Sequence, residues 1–379
     1  MKAGAPPGAR GPDPARAELD ARVLAWMREP LSGPADAGDE PRFDALARAL
    51  FAFQFAHCAP YRRFCAGRGR TPETVAHWRA IPAVPAGAFK ELALRSFPEP
   101  CEAHAFRTSG TAAERRGVLH LDTLALYEAS LLPSFRRGVV PDLAPGARAR
   151  LRILAPAPAE APDSSLSHMF GVVLAALGDA GSGFDVRGGA LDAAGLLAAL
   201  ECAGAEGVPV ALCGTAFGFV HLLDALAARG ARLALPAGSR VMETGGFKGR
   251  SRELPREALY EGIASALGVP ATRIVNQYGM TELGSQFYDS VLCSPGEPRR
   301  KLAPPWARVR VIDPETGEDA APGAIGVIRI HDLANTGSVA AIETADLGRT
   351  VAGGFEVRGR EPGAEARGCS IAADEMLAP

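Results

Sequence analysis

Hydroxyl, glycine and arginine residues crowd one stretch of the chain: Arg107-Thr108-Ser109-Gly110-Thr111, then Ala-Ala-Glu-Arg-Arg-Gly117. Hydroxyls around a glycine supply side-chain donors and a backbone that can curl its N–H groups around phosphate oxygens, although the same composition also makes ordinary turns. A second cluster, Asn276-Gln277-Tyr278-Gly279-Met280-Thr281-Glu282, follows a strand-forming run. Strand ends in α/β sheets are where ligands sit. Tyr278 offers a stacking face, Gly279 permits close backbone approach, and Glu282 is a hard oxygen ligand for Mg2+. The third cluster, Glu343-Thr344-Ala345-Asp346-Leu347-Gly348, carries carboxylates able to hold two ribose hydroxyls. The fourth is Gly359-Arg360 followed by Arg367-Gly368-Cys369-Ser370, in which neighbouring arginines favour a thiolate.

Composition excludes several other chemistries. A formal net charge of -2 over 379 residues gives no electrostatic case for binding nucleic acid or an anionic membrane. The seven cysteines are scattered and never spaced C-x-x-C, against a disulfide framework or a structural zinc site. The N-terminus lacks an apolar signal core, and no apolar run reaches the roughly 18 residues of a membrane span; the expectation is a cytoplasmic protein. Lys2, Lys90, Lys248 and Lys301 are the only lysines among 41 basic residues. Arginine replaces lysine freely on surfaces but poorly where a compact ammonium is needed, so each survivor is of interest. None follows a glycine, so there is no Walker A loop, and the G-x-G-x-x-G, H-E-x-x-H and G-x-S-x-G motifs are also missing.

The elements that must position these clusters follow from periodicity. Residues 1–16 form a Pro/Gly/Ala-rich tail expected to be disordered. Apolar steps of three and four predict helices at 17–29 and 41–57, with 60–65 breaking the second. Strands are expected at 151–154, 208–213, 240–243 and 273–276, alternating with helices at 166–177, 216–229 and 255–267, a rhythm that indicates a layered α/β core with mostly parallel strands. From about residue 300 the pattern changes to β-hairpins, the first pairing 308–312 with 326–330.

The four clusters, in this order, resemble the adenylate-forming superfamily of acyl-CoA synthetases, luciferase-like enzymes and adenylation domains. The resemblance implies a large N-terminal domain of layered α/β/α sheets plus a small β-rich subdomain, and ATP with Mg2+ as cofactors. Thr108, Ser109, Gly110 and Thr111 look like its phosphate loop. Gln277, Tyr278, Gly279, Met280, Thr281 and Glu282 look like its adenine and magnesium motif, with Glu282 the metal ligand. Asp346 resembles its ribose-binding aspartate and Arg360 the arginine beyond it. Gly245 and Gly246 resemble a glycine segment against the nucleotide, and His168 a histidine beside the acyl pocket.

A narrower resemblance covers nearly the whole chain. ProTyrArgArgPheCys (60–65), residues 78–90, GlyGlyPheLysGlyArg (245–250) and residues 276–289 are similar to the acyl-protein synthetase, LuxE-type, family. There the acyl group passes from AMP to a cysteine near the C-terminus and on to a partner reductase, and Cys369 matches that position. The implied organisation is a tail (1–16), a helical segment (17–104), an adenylation core (105–300), a β-rich subdomain (301–360) and an arm (361–379) carrying Cys369. Ala112 and Ala113 depart from the usual phosphate loop, with Arg115 and Arg116 as substitute charge. Only 19 residues follow Arg360, so the superfamily's C-terminal lid is absent or vestigial. Its catalytic lysine has no counterpart after Lys301, which leaves Lys248 as the candidate cation at the α-phosphate. Three readings stay open: acyl-protein synthetase acting on a carboxylic acid, a fatty acid by resemblance, through Cys369; a stand-alone phenylacetate–CoA ligase type delivering acyl to CoA; and a non-catalytic nucleotide-binding module.

Overall fold

The computed structural model describes residues 13–31, 39–108, 115–245, 254–360 and Met376. In chain order its elements begin with α1 (Pro14–Met27), α2 (Asp39–His57), α3 (Ala59–Ala66), β1 (Val84–Pro85), α4 (Ala88–Glu91), β2 (His104–Arg107), β3 (Val118–Leu121) and α5 (Ala125–Val139). Then come β4 (Arg150–Pro156), α6 (Ser165–Leu177), β5 (Gly183–Arg187), β6 (Ala190–Leu191), α7 (Ala193–Glu206), β7 (Val210–Thr215), α8 (Ala216–Ala228), β8 (Arg240–Thr244), α9 (Arg256–Leu267) and β9 (Ile274–Tyr278). The last are β10 (Phe287–Asp289), β11 (Lys301–Leu302), β12 (Ala307–Ile312), β13 (Gly326–Asp332), β14 (Ala341–Val351) and β15 (Gly354–Arg360). They divide between two compact units, one of residues 1–130, 280–285 and 303–379, the other of 131–279 and 286–302. This partition differs from the linear one expected from sequence, because β1 pairs in parallel with β14, Val84 opposite Ile342.

The unit of 131–279 and 286–302 is built on parallel strands. β5, β4, β7, β8 and β9 lie side by side in parallel, with β10 antiparallel to β9 and β11 antiparallel to β10. Every residue of β8 is buried, as are all but the last of β7; β7 reads as a near-continuous apolar run, whereas β8 buries the polar Arg240, Glu243 and Thr244 as well. Leu197, Leu200, Phe219, Leu222, Ile263 and Leu267 bring α7, α8 and α9 together with the strands in one core. Local chemistry sets the helix ends. Asp192 and Thr215 accept from the third backbone N–H on, Gly195 at 2.9 Å and Gly218 at 3.0 Å, as N-caps do. Gly207 and Gly268 close α7 and α9 in the left-handed region, φ 68° and 70°, which only glycine enters without a Cβ penalty.

The other unit packs α1–α3 with a four-stranded antiparallel meander, β12 to β15, and carries the β2–β3 hairpin. Gln54 on α2 fastens helix to strand connection: its Nε2 donates to Asn335 O at 2.9 Å, and its Oε1 accepts from Ala340 N at 3.0 Å. Buried Arg16 makes a two-point bond to Asp122, both contacts 2.8 Å.

The elements expected between 151 and 276, and the first hairpin, lie within two residues of the observed ones. Two details differ from expectation. The second helix ends at His57, as expected, with the break at Cys58, but residues 60–65 after it are themselves helical and form most of α3, because a proline in the first turn starts a helix as readily as it stops one. Residues 14–16, assigned to the tail, are helical; Asp13 caps them by accepting from Ala15 N at 2.9 Å. Among the described residues no helix is long and apolar enough to cross a membrane.

His331 on β13 is buried edge-on to Trp78, ring centroids 4.9 Å apart, and its Nδ1 has no partner. Burial pushes its pKa down to about 3. A depressed folded pKa means that His331 favours the folded state above its unfolded pKa of about 6.5 and that this contribution is lost as pH falls toward 3. His331→Phe should therefore flatten the pH dependence of urea unfolding between about 6.5 and 3, where the native chain loses up to about 1.4 kcal/mol per pH unit from this group. Parallel curves for the two proteins would refute it.

Candidate functional site

Tyr278 and Gln277 end β9, and Thr244 ends β8 with Gly245 just beyond it, side by side in the parallel sheet with Thr244 opposite Gln277. The Thr244 hydroxyl lies 3.1 Å from Gln277 O and also meets the Gln277 side-chain amide, so the two strand ends are tied together. Gly245 takes φ 77°, in the left-handed region. A Cβ on Gly279 would lie 2.7 Å from Gln277 Nε2, so the residue after Tyr278 must be glycine for Gln277 to keep this place. Tyr278 is half-buried, its ring 6.1 Å from that of Phe287. These strand ends have the place in a parallel sheet where nucleotides bind. His168 lies in the first turn of α6, its backbone N–H bonded to Ser164 O at 3.0 Å.

The other unit brings Thr108 and Glu282, far apart in sequence, around Gly117. Thr108 N donates to Gly117 O, and Gly117 N to Thr108 Oγ1, at 2.9 and 2.8 Å, closing the β2–β3 hairpin. A Cβ on Gly117 would stand 3.1 Å from Thr108 Cγ2 and 3.3 Å from Glu282 Oε1; glycine keeps that space open. Arg116, expected as substitute phosphate charge, donates its Nε to Thr108 O at 2.5 Å, and Arg115 pairs with Glu91. Both guanidinium groups thus have partners within the protein. Ser109, Gly110, Thr111, Gly246, Lys248 and Cys369 lie outside the described residues.

Glu282 is held by its backbone. The buried Asn335 Nδ2 donates to Glu282 O and to Val339 O, both at 2.9 Å. Three residues on, Ser285 N and Oγ donate to Asp332 at 2.8 and 2.7 Å, and Trp306 Nε1 donates to Ser285 Oγ at 3.1 Å. Asp332 also accepts from Ala334 N at 3.0 Å; burial raises its pKa against these donors. The segment carrying Met280, Thr281 and Glu282 is thereby clamped to the 332–335 turn. Sequence reasoning missed Asn335 and Asp332, which carry no motif; their role depends on which turn the 282–285 segment meets.

Asp346 and Arg360 are register partners on β14 and β15, joined by Arg360 Nε donating to Asp346 Oδ1 at 2.9 Å. Asp346 N donates to Thr344 Oγ1 at 3.1 Å. Glu343, the other acid of that cluster, is bound to Arg329 at 2.6 Å, so the two carboxylates have different cations. Among the described residues no group of three or more His, Cys, Asp or Glu side chains is placed to hold a metal ion. One carboxylate, as at Glu282, is what Mg2+ takes from a protein when substrate phosphates and water supply the rest.

A profile of the acyl-protein synthetase family, LuxE, matches residues 15–378. The chain belongs to the acyl-protein synthetase (LuxE) family. The long-chain-fatty-acid–luciferin-component ligase of Aliivibrio fischeri is 34% identical over 76 residues, 20% of this chain and 18% of that protein, so the match spans under a fifth of that relative. Two solved structures of 2-hydroxyisobutyryl-CoA ligase share the fold. One, in the postadenylation state with an acyl-AMP, has TM-score 0.59 and 14% identity, covering 85% of this chain and 70% of that one. The other, an open conformation with 2-HIB-AMP and CoA, has TM-score 0.58 and 15% identity over 88% and 75%. This likeness establishes the α/β fold of the N-terminal domain of adenylate-forming enzymes.

Replacing Asn335 with Ala leaves the carbonyls of Glu282 and Val339 without their buried donor, at an expected loss of about 1–3 kcal/mol. Hydrogen–deuterium exchange of peptides spanning 280–285 should quicken while β7 and β8 keep their protection. Unchanged exchange at 280–285 would mean that Asn335 does not hold Glu282.

Proposed function

We propose that this protein activates a carboxylic acid with ATP, forming an acyl-adenylate and pyrophosphate, and passes the acyl group to the thiol of Cys369 and on to a partner protein. A long-chain fatty acid is the proposed substrate, by the relative's name. The observation that carries the reading is the meeting of Thr108 and Glu282 around Gly117 in a chain of this family.

A carboxylate is a poor electrophile. In the proposed first step its oxygen attacks the α-phosphorus of ATP, the bond to the β-phosphate oxygen breaks, and pyrophosphate leaves. Such a transfer depends on positioning and on neutralising charge. Thr108, with Ser109, Gly110 and Thr111, would donate to phosphate oxygens. Glu282 would hold Mg2+, which supplies positive charge at the phosphates. Tyr278 would stack on adenine, Asp346 would accept from ribose hydroxyls with Arg360 fixing its carboxylate, and Lys248 would face the α-phosphate. His168 would border the acid. In the second step the Cys369 thiolate attacks the acyl carbonyl, AMP departs with the electron pair of the broken C–O bond, and a thioester results.

Carboxylate-dependent ATP–pyrophosphate exchange with fatty and aromatic acids, followed by intact mass, tests this. Exchange with a fatty acid is expected, together with a mass gain of one acyl group that Cys369→Ala abolishes while exchange persists. Glu282→Ala should slow exchange by roughly a hundredfold or more. No exchange with any acid would leave a nucleotide-binding module without turnover. Acyl-CoA release at full rate by Cys369→Ala would make the protein a CoA ligase instead.

A further inference from the structure

The four lysines of this arginine-dominated chain include one whose side chain is almost wholly enclosed, Lys301, at 4% exposure. Its Nζ donates to Asn276 O at 2.5 Å and to Asn276 Oδ1, and it meets Asp289 Oδ1 at 2.9 Å. An ammonium has three donors in a compact tetrahedral arrangement, and three acceptors surround this one; a planar guanidinium fork does not match them. Asp289 closes the ring by accepting from Asn276 N at 3.0 Å and from Arg299 Nη1 at 2.5 Å. Asn276 extends it to the next strand: its Nδ2 donates to Glu243 Oε1 at 2.7 Å, which also accepts from Tyr260 OH at 2.8 Å. Lys301 therefore grips the residue two before Tyr278, and through Asn276 it is joined to the residue two before Gly245.

Stability does not account for this arrangement. Burying an ion pair costs about as much as its attraction returns, and apolar substitutes of equal volume are often neutral or better. What a saturated buried polar network does supply is a single geometry. We propose that Lys301 is a positioning residue for nucleotide recognition, fixing the ends of β8 and β9 through Asn276 and Glu243 so that Tyr278 and Gly245 present one shape to adenine. It rests on the assignment of Tyr278 to the adenine site.

Burial pulls the Lys301 ammonium toward neutrality and pushes the Glu243 carboxyl up, while Lys301 and Arg299 together outweigh the same effect at Asp289 and hold it low. Lys301 Nζ and Asp289 Oδ1 face each other at 2.9 Å, and Glu243 accepts from the neutral Tyr260 hydroxyl and Asn276 amide. Each position has its own chemical requirement, and arginine at 301 fails the one at Asn276.

The test measures ATP–pyrophosphate exchange for the native chain, Lys301→Arg, Lys301→Met and Tyr260→Phe, with separate KM values for ATP, GTP and the acid and with urea unfolding in parallel. Lys301→Arg and Lys301→Met should raise the KM for ATP by roughly tenfold and lower the preference for ATP over GTP by a similar factor. The KM for the acid should stay within about twofold. Tyr260→Phe removes a single hydroxyl and should move the ATP values in the same direction by about threefold, which keeps the question answerable should both Lys301 variants fail to fold. Loss of stability with unchanged purine preference and ATP KM in the variants that fold would overturn the positioning role while leaving the proposed activity standing. A native chain that exchanges with no acid and binds neither nucleotide would overturn both.

Discussion

The carboxylate of Glu282 is placed by the backbone that carries it, and that backbone is held by a buried amide. Asn335 holds the carbonyl of Glu282, Ser285 anchors the same segment on Asp332, and Gln54 on α2 in turn holds the backbone of Asn335. The chain of neutral and charge-assisted bonds runs from a helix at the N-terminal end to a turn beyond residue 330. The β2–β3 hairpin then sets Thr108 beside it, and Gly117 keeps the two from being pushed apart.

The other unit meets a different demand. Two parallel strands, β8 and β9, end side by side with Thr244 opposite Gln277. Backbone bonds fix the ladder, and Thr244 ties the last residues across. Beneath them Glu243, Asn276, Asp289 and Lys301 are joined to one another and to Tyr260 and Arg299, an arrangement that tolerates few alternative packings because any unmade bond there is a full desolvation penalty.

Much of the fold was legible in the residues. β7 read as a strand because its apolar residues are buried on both faces, and α8 showed itself through the periodicity of an apolar helical run. α7 escaped notice: its Ala- and Gly-rich sequence has too little contrast between faces to show a period of 3.6. α3 was misjudged because Pro60 reads equally as a stop and as a start. The β2–β3 hairpin was hidden by the hydroxyl-rich stretch that interrupts it, which drew attention as chemistry rather than as a connection. Glu282, Tyr278, Asp346 and Arg360 drew attention because their types and order match a chemical task, and Arg116, expected as substitute phosphate charge, bonds the Thr108 backbone.

The sequence by itself determined the α/β rhythm, the family and the residue types offered to a ligand, because periodicity, caps and short motifs are local properties of the chain. Tertiary structure decided which donor reaches which acceptor. Asn335 could serve any carbonyl, and Lys301 any acid; that one meets Glu282 and the other Asn276 and Asp289 follows from strand pairing and from turns brought together by distant segments. Hydrogen bonds act over about 3 Å, so a partner far away in sequence is selected only once the chain has folded.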